Sequence, residues 1–382
     1  MRTLSRFARA AVLVGASVRI AAAQEPAAPA PEPTPAPEAP VEQRVVLHGY
    51  FSQAYANSSD HQLIGVPDSG TFDYRRMALL VRGNITSKDT LVLQLAQRRL
   101  GESPVMELEP DVKLDWAFYE HRFGNGTSVR AGRIPNPLGL YSEVRYVGTL
   151  LPFYRAPYNF YQEGSFTSEN INGARLSHTF AADKKWNLET QLFGGGFSMI
   201  ESYFGKVNRA HTENALGGQV WLNTPVEGLR FGAGGDFFDI KNTMLTGDGN
   251  DQWRTWIASA DFSRTRFRLR SEYSQIHLKE AQFLDKAYYV YGGVNVTEKL
   301  VAHAQYDNST AVTGPEGNTT DLPKFYQDTT LGLSYAFRPD VVVKGEYHFV
   351  KGRLIEDQAV PLDPAFGPYS GNYVMLSISA SF

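Results

Sequence analysis

Apolar and small polar residues alternate along the last segment of the chain, residues 374–382. One face of a strand with this sequence carries Val374, Leu376, Ile378, Ala380 and Phe382, and the other carries Met375, Ser377, Ser379 and Ser381. A period of two indicates a β-strand whose two faces meet different surroundings. An apolar outer face opposite a small, polar inner face is typical of a strand in a barrel wall between lipid and water.

The same alternation recurs from residue 44 onward, with no long run of helical period. It predicts sixteen strands, at residues 44–56, 72–85, 90–100, 112–123, 127–135, 171–180, 186–196, 214–223, 229–240, 252–263, 266–276, 285–296, 299–308, 326–337, 341–351 and 371–382. Bacterial single-chain outer-membrane barrels have an even number of antiparallel strands. The pattern therefore predicts an all-β fold, a 16-stranded antiparallel transmembrane β-barrel. A secreted β-sandwich is the soluble alternative.

Charged residues concentrate on one face of the predicted strands. Four strands show this, each with a mostly apolar face and a more polar opposite face. The mostly apolar faces carry Leu91, Leu93 and Leu95; Leu114, Trp116 and Phe118; Phe267, Leu269 and Tyr273; and Val343, Gly345, Tyr347 and Phe349. In the same order, the opposite faces carry Gln94, Ala96 and Arg98; Lys113, Asp115, Tyr119 and His121; Arg268, Arg270 and Glu272; and Lys344, Glu346 and His348. A charge on the lipid face costs about 2–4 kcal/mol at the bilayer midplane. The charged face is therefore predicted to point inward, into a lumen that holds water.

The connections between the predicted strands alternate in length. Short ones at 86–89, 124–126, 181–185, 224–228, 263–265, 297–298 and 338–340 alternate with longer ones at 57–71, 101–111, 136–170, 197–213, 241–251, 277–284, 309–325 and 352–370. Outer-membrane barrels have short periplasmic turns and longer outer loops. A soluble sandwich has no reason to sort its connections in this way, so the barrel is favoured.

The first 43 residues differ from the rest. Residues 1–23 combine a basic start, a short apolar run and an A-x-A site, which predicts a secretory signal peptide. Residues 24–43 are rich in Pro, Ala and Glu, a composition typical of an extended periplasmic spacer. The expected division is therefore a signal peptide at 1–23, a spacer at 24–43 and a barrel at 44–382.

Composition agrees with this division. The chain has no cysteine, 34 Gly, 20 Tyr, 23 Phe and a mean hydropathy of −0.31. Only every second residue of a barrel strand meets lipid, and aromatic residues collect at the membrane interfaces, so this composition fits a barrel. The net charge of −3 argues against a nucleic-acid partner. The expected partners are outer-membrane lipid, small hydrophilic or anionic solutes and, in a homotrimer, further copies of the chain.

The longest predicted connection, 136–170, is rich in aromatic and aliphatic residues. A loop of this length is usually functional or disordered, and its apolar surface argues for folding back against the barrel wall. Its start, Gly132-Arg-Ile-Pro-Asn-Pro-Leu-Gly-Leu-Tyr-Ser-Glu-Val-Arg145, resembles the Gly-Arg-x-x-x-Pro-x-Gly-Leu-Tyr-x-Glu-x-Arg pattern of porins related to the phosphate-selective porin family. The terminal Phe382 likewise resembles the closing residue of outer-membrane barrels.

The resemblance implies an outer-membrane diffusion channel, often trimeric, whose third outer loop folds into the lumen. It makes Tyr141, Glu143, Arg145 and Arg155 candidates for the pore constriction. The structural alternative is that Glu143 and Arg145 pair and pin the loop without touching solute. The dense ladder of Lys and Arg that strong phosphate selectivity requires is missing, so the family's substrate does not transfer.

The predicted lumen face carries both signs of charge. The candidate pore-lining residues are Arg76, Arg82, Arg98, Lys113, Asp115, Arg130, Arg175, Arg268, Arg270, Glu272, Lys344 and Glu346. Basic residues lead slightly, and Arg75 next to Arg76 adds to them. Because charge rings set the selectivity of a pore, this indicates a weak preference for anions. The alternative is that the charges cancel across neighbouring strands and only keep the lumen wet.

Sequence motifs for catalysis are missing. There is no H-E-x-x-H, G-x-S-x-G or Walker motif, and the eight histidines are scattered. No cofactor or metal is expected, although acidic outer loops leave calcium binding open. The predicted function is a porin, a passive diffusion channel of the bacterial outer membrane. An outer-membrane enzyme of lipase or protease type and a surface receptor anchored by its barrel are the alternatives.

Overall fold

The computed structural model describes residues 44–59, 61–161, 169–203, 206–247, 249–353 and 367–382. The predicted signal peptide and spacer lie outside these residues. Sixteen strands follow in order: β1 Val45–Ser58, β2 Thr71–Asn84, β3 Asp89–Leu100, β4 Lys113–Arg122, β5 Thr127–Pro135, β6 Asn170–Phe180, β7 Asn187–Tyr203, β8 Lys206–Asn223, β9 Leu229–Thr243, β10 Gly249–Ser263, β11 Phe267–Leu278, β12 Phe283–Asn295, β13 Leu300–Thr313, β14 Thr320–Arg338, β15 Val341–Gly352 and β16 Tyr369–Ser381. The short helix α1 is Tyr158–Tyr161, and two 3-10 turns span Pro104–Glu107 and Met244–Thr246.

Each strand pairs antiparallel with its sequence neighbours, and β1 pairs with β16 to close the barrel. The predicted 16-stranded antiparallel barrel is thereby confirmed. Closure also involves the terminal aromatic: Gly49 N donates to Phe382 O at 3.0 Å, and a Cβ at Gly49 would lie 2.4 Å from the Phe382 ring. A glycine at this position lets the Phe382 ring pack against the backbone where the first and last strands of the barrel meet.

The last strand shows the predicted inside and outside faces. Leu376 and Ile378 are 59 % and 46 % exposed on the outer surface, whereas Met375 and Ser379 are each 1 % exposed on the inside. The outer surface of the whole barrel carries apolar and aromatic side chains, as a surface in contact with lipid requires. Among the described residues, no helix is long and apolar enough to cross a membrane.

The two ends of the barrel differ in their connections. Connections of two to six residues join the strands at one end, which we call the turn end. At the other end, the loop end, the connections after β1, β3, β5 and β15 are longer than any at the turn end. Four predicted loops are at most half as long as expected, because β7 and β8 extend to residues 203 and 206, β9 and β10 to 243 and 249, β11 and β12 to 278 and 283, and β13 and β14 to 313 and 320. Cross-strand pairs such as Met199 with Ala210 continue the wall there.

The predicted faces of β4 were wrong beyond its first residues. Gln94 on β3 pairs with Trp116, whereas the next residue, Leu95, pairs with Leu114, so Asp115 is an extra residue in β4. Such a bulge reverses the alternation that follows it. Phe118 is consequently buried inside at 7 % exposure, and Tyr119 is 39 % exposed on the outside.

Candidate functional site

The connection between β5 and β6 lies against the inner wall of the barrel. We call its residues 136–161 the inner loop. Its contacts reach inward side chains on strands around the circumference: Gln219 on β8, Glu272 on β11, Asp307 on β13 and Glu346 on β15 each accept a hydrogen bond from it. Backbone donors Gly139 N, Leu140 N, Asn159 N and Tyr154 N make these bonds at 2.6–3.2 Å. The inner loop therefore occupies much of the barrel's cross-section.

Glu143 holds the first part of the inner loop to the wall. Its carboxylate pairs with Arg175 on β6 and with Arg130 on β5, the latter at 3.2 Å. Burial by itself raises the pKa of Glu143, but the two guanidinium groups outweigh it and lower the pKa to about 2. Glu143 is therefore an ionised anchor. Its partners among the described residues are wall arginines, whereas the structural alternative raised from the sequence paired Glu143 with Arg145.

Arg98 on β3 is the centre of a second anchor. It pairs with Glu109 in the connection that follows β3 and with Glu169 just before β6, and it also donates to Tyr146 OH of the inner loop. Lys113 Nζ lies 2.8 Å from Glu169. Burial raises the pKa of Glu169, but Arg98 and Lys113 lower it well below its usual value. Two connections are thus tied to one wall arginine.

Lys344 and Glu346 on β15, with Arg76 on β2, hold the middle of the inner loop. Lys344 Nζ donates to Leu151 O at 2.7 Å and to Phe153 O at 3.0 Å. Glu346 accepts from Tyr154 N, and Arg76 donates to Tyr154 O, both at 2.6 Å. These charged wall residues bind loop backbone, which leaves Lys344 only 2 % exposed.

Two of the predicted constriction residues are packed as anchors. Tyr141 is 2 % exposed and accepts a hydrogen bond from Arg270 on β11 at 3.1 Å. Arg155 donates to Ile64 O at 3.2 Å and to Tyr74 OH at 2.6 Å, and it is 8 % exposed. Both side chains are bound to protein groups inside the barrel.

Arg145 differs from the other three predicted constriction residues. It is 7 % exposed, yet its Nε and Nη1 atoms have no hydrogen-bond partner in the described structure. Its guanidinium lies over the ring of Tyr161 at 5.6 Å and lines two cavities. One cavity, of about 10 Å³, lies toward β3 and β4; the other, of about 90 Å³, lies toward β9–β11. We call the larger one the lateral cavity.

The remaining predicted pore-lining residues point inward but differ in surroundings. Asp115 is buried and accepts from Gln94 at 2.7 Å, and Glu272 is buried among Tyr161, Ser259 and Tyr289. Arg82 and Arg268 are partly exposed toward the turn end. Arg75, which was expected to add to the inner charge, instead lies on the outer side and pairs with Asp73 at 3.3 Å.

Sequence reasoning missed a second segment that packs inward at the loop end. Leu63, Ile64 and Val66, between β1 and β2, are at most 1 % exposed. They form one apolar cluster with residues of β1, β2 and β16 and with Tyr154 of the inner loop. The signal in the sequence was the short apolar run Leu-Ile-Gly-Val within a predicted outer loop, which a purely solvated loop would not need.

The described residues contain two serine–histidine pairs relevant to the enzyme alternative. Ser334 Oγ lies 2.7 Å from His303 Nε2, and Nδ1 of this histidine contacts the Tyr291 hydroxyl at 2.8 Å. Ser198 Oγ lies 3.0 Å from His211 Nδ1 on the exposed outer side of β7 and β8. His211 pairs across the sheet with Lys241 and has no carboxylate partner in the described part of the chain. A triad also needs an acid that orients the histidine. No group of three or more potential metal ligands is present among the described residues.

Solved structures with the same architecture include outer-membrane proteins from three bacteria. Salmonella typhi OmpF, in complex with daunomycin, is 12 % identical with a TM-score of 0.59, over 88 % of this chain and 97 % of its own. A loop-deletion mutant of Vibrio cholerae OmpT is 12 % identical with a TM-score of 0.56, over 88 % and 99 %. The outer membrane channel DcaP of Acinetobacter baumannii is 11 % identical with a TM-score of 0.54, over 88 % and 97 %.

These similarities establish the architecture. The chain has the fold of a porin-like outer-membrane β-barrel. No protein-family model and no curated protein matches the sequence.

Proposed function

We propose that the protein is a narrow, passive diffusion channel of the bacterial outer membrane for small hydrophilic solutes. The observation that carries this proposal is the inner loop, which crosses the lumen of a closed barrel and is bound to charged wall residues on many strands. A barrel that served only as an anchor would not need such a constriction. The similar structures include the outer membrane channel DcaP of Acinetobacter baumannii, which supports the proposal.

In this proposal, solutes pass between the inner loop and the wall, and the four constriction residues have different roles. Glu143, Tyr141 and Arg155 hold the loop, whereas Arg145 faces the passage, because its unpartnered N–H groups line both cavities. The cavities have volumes of about 10 and 90 Å³, whereas a single water molecule needs about 10–15 Å³. On this proposal we expect passage to depend on solute size.

The charge of the lumen supports a weak preference for anions. The partly exposed arginines Arg82 and Arg268 face the inside near the turn end, while inward acids such as Glu120 and Asp261 are bound to arginines. The loop end would face the outside of the cell. The trimer form of Vibrio cholerae OmpT offers a precedent for assembly, and a homotrimer is proposed by analogy.

Liposome swelling with solutes of graded size tests this function. We expect entry of small sugars and amino acids at rates that fall steeply with solute size, and slower entry of the cationic member of a size-matched pair. An absence of swelling with every solute would contradict the channel. A hydrolase assay on the same preparation tests the enzyme alternative, and activity lost in Ser198→Ala would establish that alternative instead.

A further inference from the structure

The lateral cavity has a lining that is both charged and apolar. Arg145 and Asp236 contribute the charges, and Ser274 contributes a hydroxyl group. The rest of the lining is mostly apolar or aromatic, with Leu138, Phe160, Tyr161, Met199, Phe238, Trp253, Ile257 and Ile276. Small-molecule sites typically combine a mostly apolar wall with a few placed polar groups.

The polar groups of this lining have unused hydrogen-bonding capacity. Arg145 Nε and Nη1, Asp236 Oδ1 and Ser274 Oγ are buried and have no hydrogen-bond partner in the described structure. Glu169 is the acid that acts on Arg145 through space, but it is already bound to Arg98 and Lys113. Arg145 and Asp236 line the same cavity without forming an ion pair with each other. Because a buried unpartnered polar group is costly, these atoms are suited to an occupant with complementary groups.

The apolar wall of the cavity is closely packed. Phe238 and Trp253 stack with ring centroids 5.4 Å apart and an interplanar angle of 17°, and Phe197 packs on Phe238 at 4.9 Å. Trp253 Nε1 donates to Thr255 Oγ1 at 2.8 Å, which fixes the indole. The wall thus offers a preformed apolar surface beside the two charges.

We propose that the lateral cavity binds a small zwitterion with a branched apolar body, of the class of leucine and valine, on its way through the channel. Arg145 receives the carboxylate, Asp236 receives the ammonium group, and Phe238 and Trp253 contact the apolar body. The volume of about 90 Å³ corresponds to roughly six to nine water sites, which matches the eight or nine heavy atoms of these amino acids. The proposal rests on the channel function proposed above, since it assigns that channel its solute class.

Two readouts on the refolded full chain separate the two proposals. Trp253 in the wall allows L-leucine binding to be followed by tryptophan fluorescence in detergent, whether or not the protein conducts. Trp253→Phe should remove the signal. Single-channel recording in planar bilayers then shows whether L-leucine interrupts the ion current. Absence of any current, with leucine binding intact, would contradict the proposed channel function but would support the binding site.

Matched probes test the zwitterion in the wild-type protein alone. 4-Methylpentanoate lacks the ammonium group of leucine, and isopentylamine lacks the carboxylate. Each should bind at least about 10-fold more weakly than L-leucine, because each leaves one buried charged group without an ionic partner. Equal affinity for 4-methylpentanoate and leucine would overturn the assignment of Asp236, and no saturable leucine binding would overturn the site.

Substitutions test the two charged residues. Arg145→Gln and Asp236→Asn should each weaken L-leucine binding at least about 10-fold while the barrel remains folded by its heat-dependent mobility on gels. Arg254→Gln is the matched control, since Arg254 lies on the same strand as Trp253 and is exposed on the outer side. Unchanged leucine affinity in both cavity variants would contradict the proposal.

Discussion

Replacing Glu143 with glutamine tests how the inner loop is held. Glutamine keeps the shape of the side chain but removes its charge, which leaves Arg175 and Arg130 without their loop partner. When the loop leaves the wall, the pKa of Glu143 returns from about 2 to about 4.5. This difference corresponds to about 3 kcal/mol of docking free energy, since one pKa unit is about 1.4 kcal/mol. Breaking a fully buried ion pair costs about 3–5 kcal/mol, and because Glu143 is 22 % exposed, about 3 kcal/mol is the upper figure for this pair.

Cysteine labelling measures this loss of docking. The chain has no cysteine, so Ser142→Cys supplies a single thiol next to Glu143, at a position that is 6 % exposed. About 3 kcal/mol corresponds to roughly a 100-fold change in the population of undocked loop, and the labelling rate with a water-soluble reagent should rise accordingly in Glu143→Gln.

Two controls define the result. Glu107→Gln removes an exposed loop carboxylate and should leave the labelling of the same thiol unchanged. Ser87→Cys, in an exposed turn at the opposite end, should react at one rate in both backgrounds. A labelling rate at position 142 that Glu143→Gln leaves unchanged would refute the anchoring role.

Further predictions concern pH, loop backbone contacts and the lipid face. Because its folded-state pKa is lowered, Glu143 stabilises docking fully above about pH 4.5, and this contribution is lost as the pH falls toward about 2. The labelling rate of Ser142→Cys, divided by that of the exposed Ser87→Cys to cancel the pH dependence of the thiolate, should therefore rise only in that window, and a rise of this ratio between pH 6 and 8 would contradict the assignment. Lys344→Met removes the donor to Leu151 O and Phe153 O, which should weaken the docking of the inner loop. A reporter thiol introduced by Ala156→Cys should then be labelled about 10-fold faster or more than in the Lys344 background. An unchanged labelling rate would show that the wall lysine does not hold the loop. Leu331→Arg on the outer face should lower the free energy of unfolding by about 2–4 kcal/mol, measured by urea unfolding from lipid. Val301→Arg, on the inner face, should lower it by less. A larger loss for Val301→Arg than for Leu331→Arg would contradict the predicted faces.

The strands of this protein can be predicted because lipid and lumen impose opposite demands on alternate residues. The final strand shows this well: Leu376 and Ile378 are exposed outward, and Ser377 and Ser379 are buried inside. The bulge at Asp115 could not be predicted, because the aromatic residues after it, Trp116, Phe118 and Tyr119, are compatible with either face in isolation. Only the pairing of β4 with β3 decides where the extra residue lies.

The sequence predicted where the candidate site lies, but it did not predict which of its charged side chains pair with each other. The length and apolar content of the connection after β5 indicated a segment that folds inward, and its charged residues do lie near the wall. Which charges pair depends on how the loop winds through the lumen. Glu143 therefore contacts Arg175 on β6 and Arg130 on β5, the two strands that the inner loop connects. Arg145 is left facing the lateral cavity. Sequence spacing carries no information about that path.

The inner loop also explains why a 16-stranded barrel need not be a wide pore. Its backbone binds side chains on β8, β11, β13 and β15, and its aromatic residues pack with Tyr289 and Tyr291 on β12. The polar inner wall is thus largely satisfied by protein groups at the level of the loop. We therefore expect the selectivity of the proposed channel to arise beside the lateral cavity, where the hydrogen bonds between the inner loop and the wall end.

Single-channel conductance of the wild-type protein, compared with a variant in which residues 147–157 are replaced by a short Gly-Ser linker, tests the central claim most directly. The inner loop should limit the wild type to small, discrete current steps, and the shortened variant should show steps several-fold larger. Equal conductance in the two proteins, or no current steps in either, would contradict a channel narrowed by this loop.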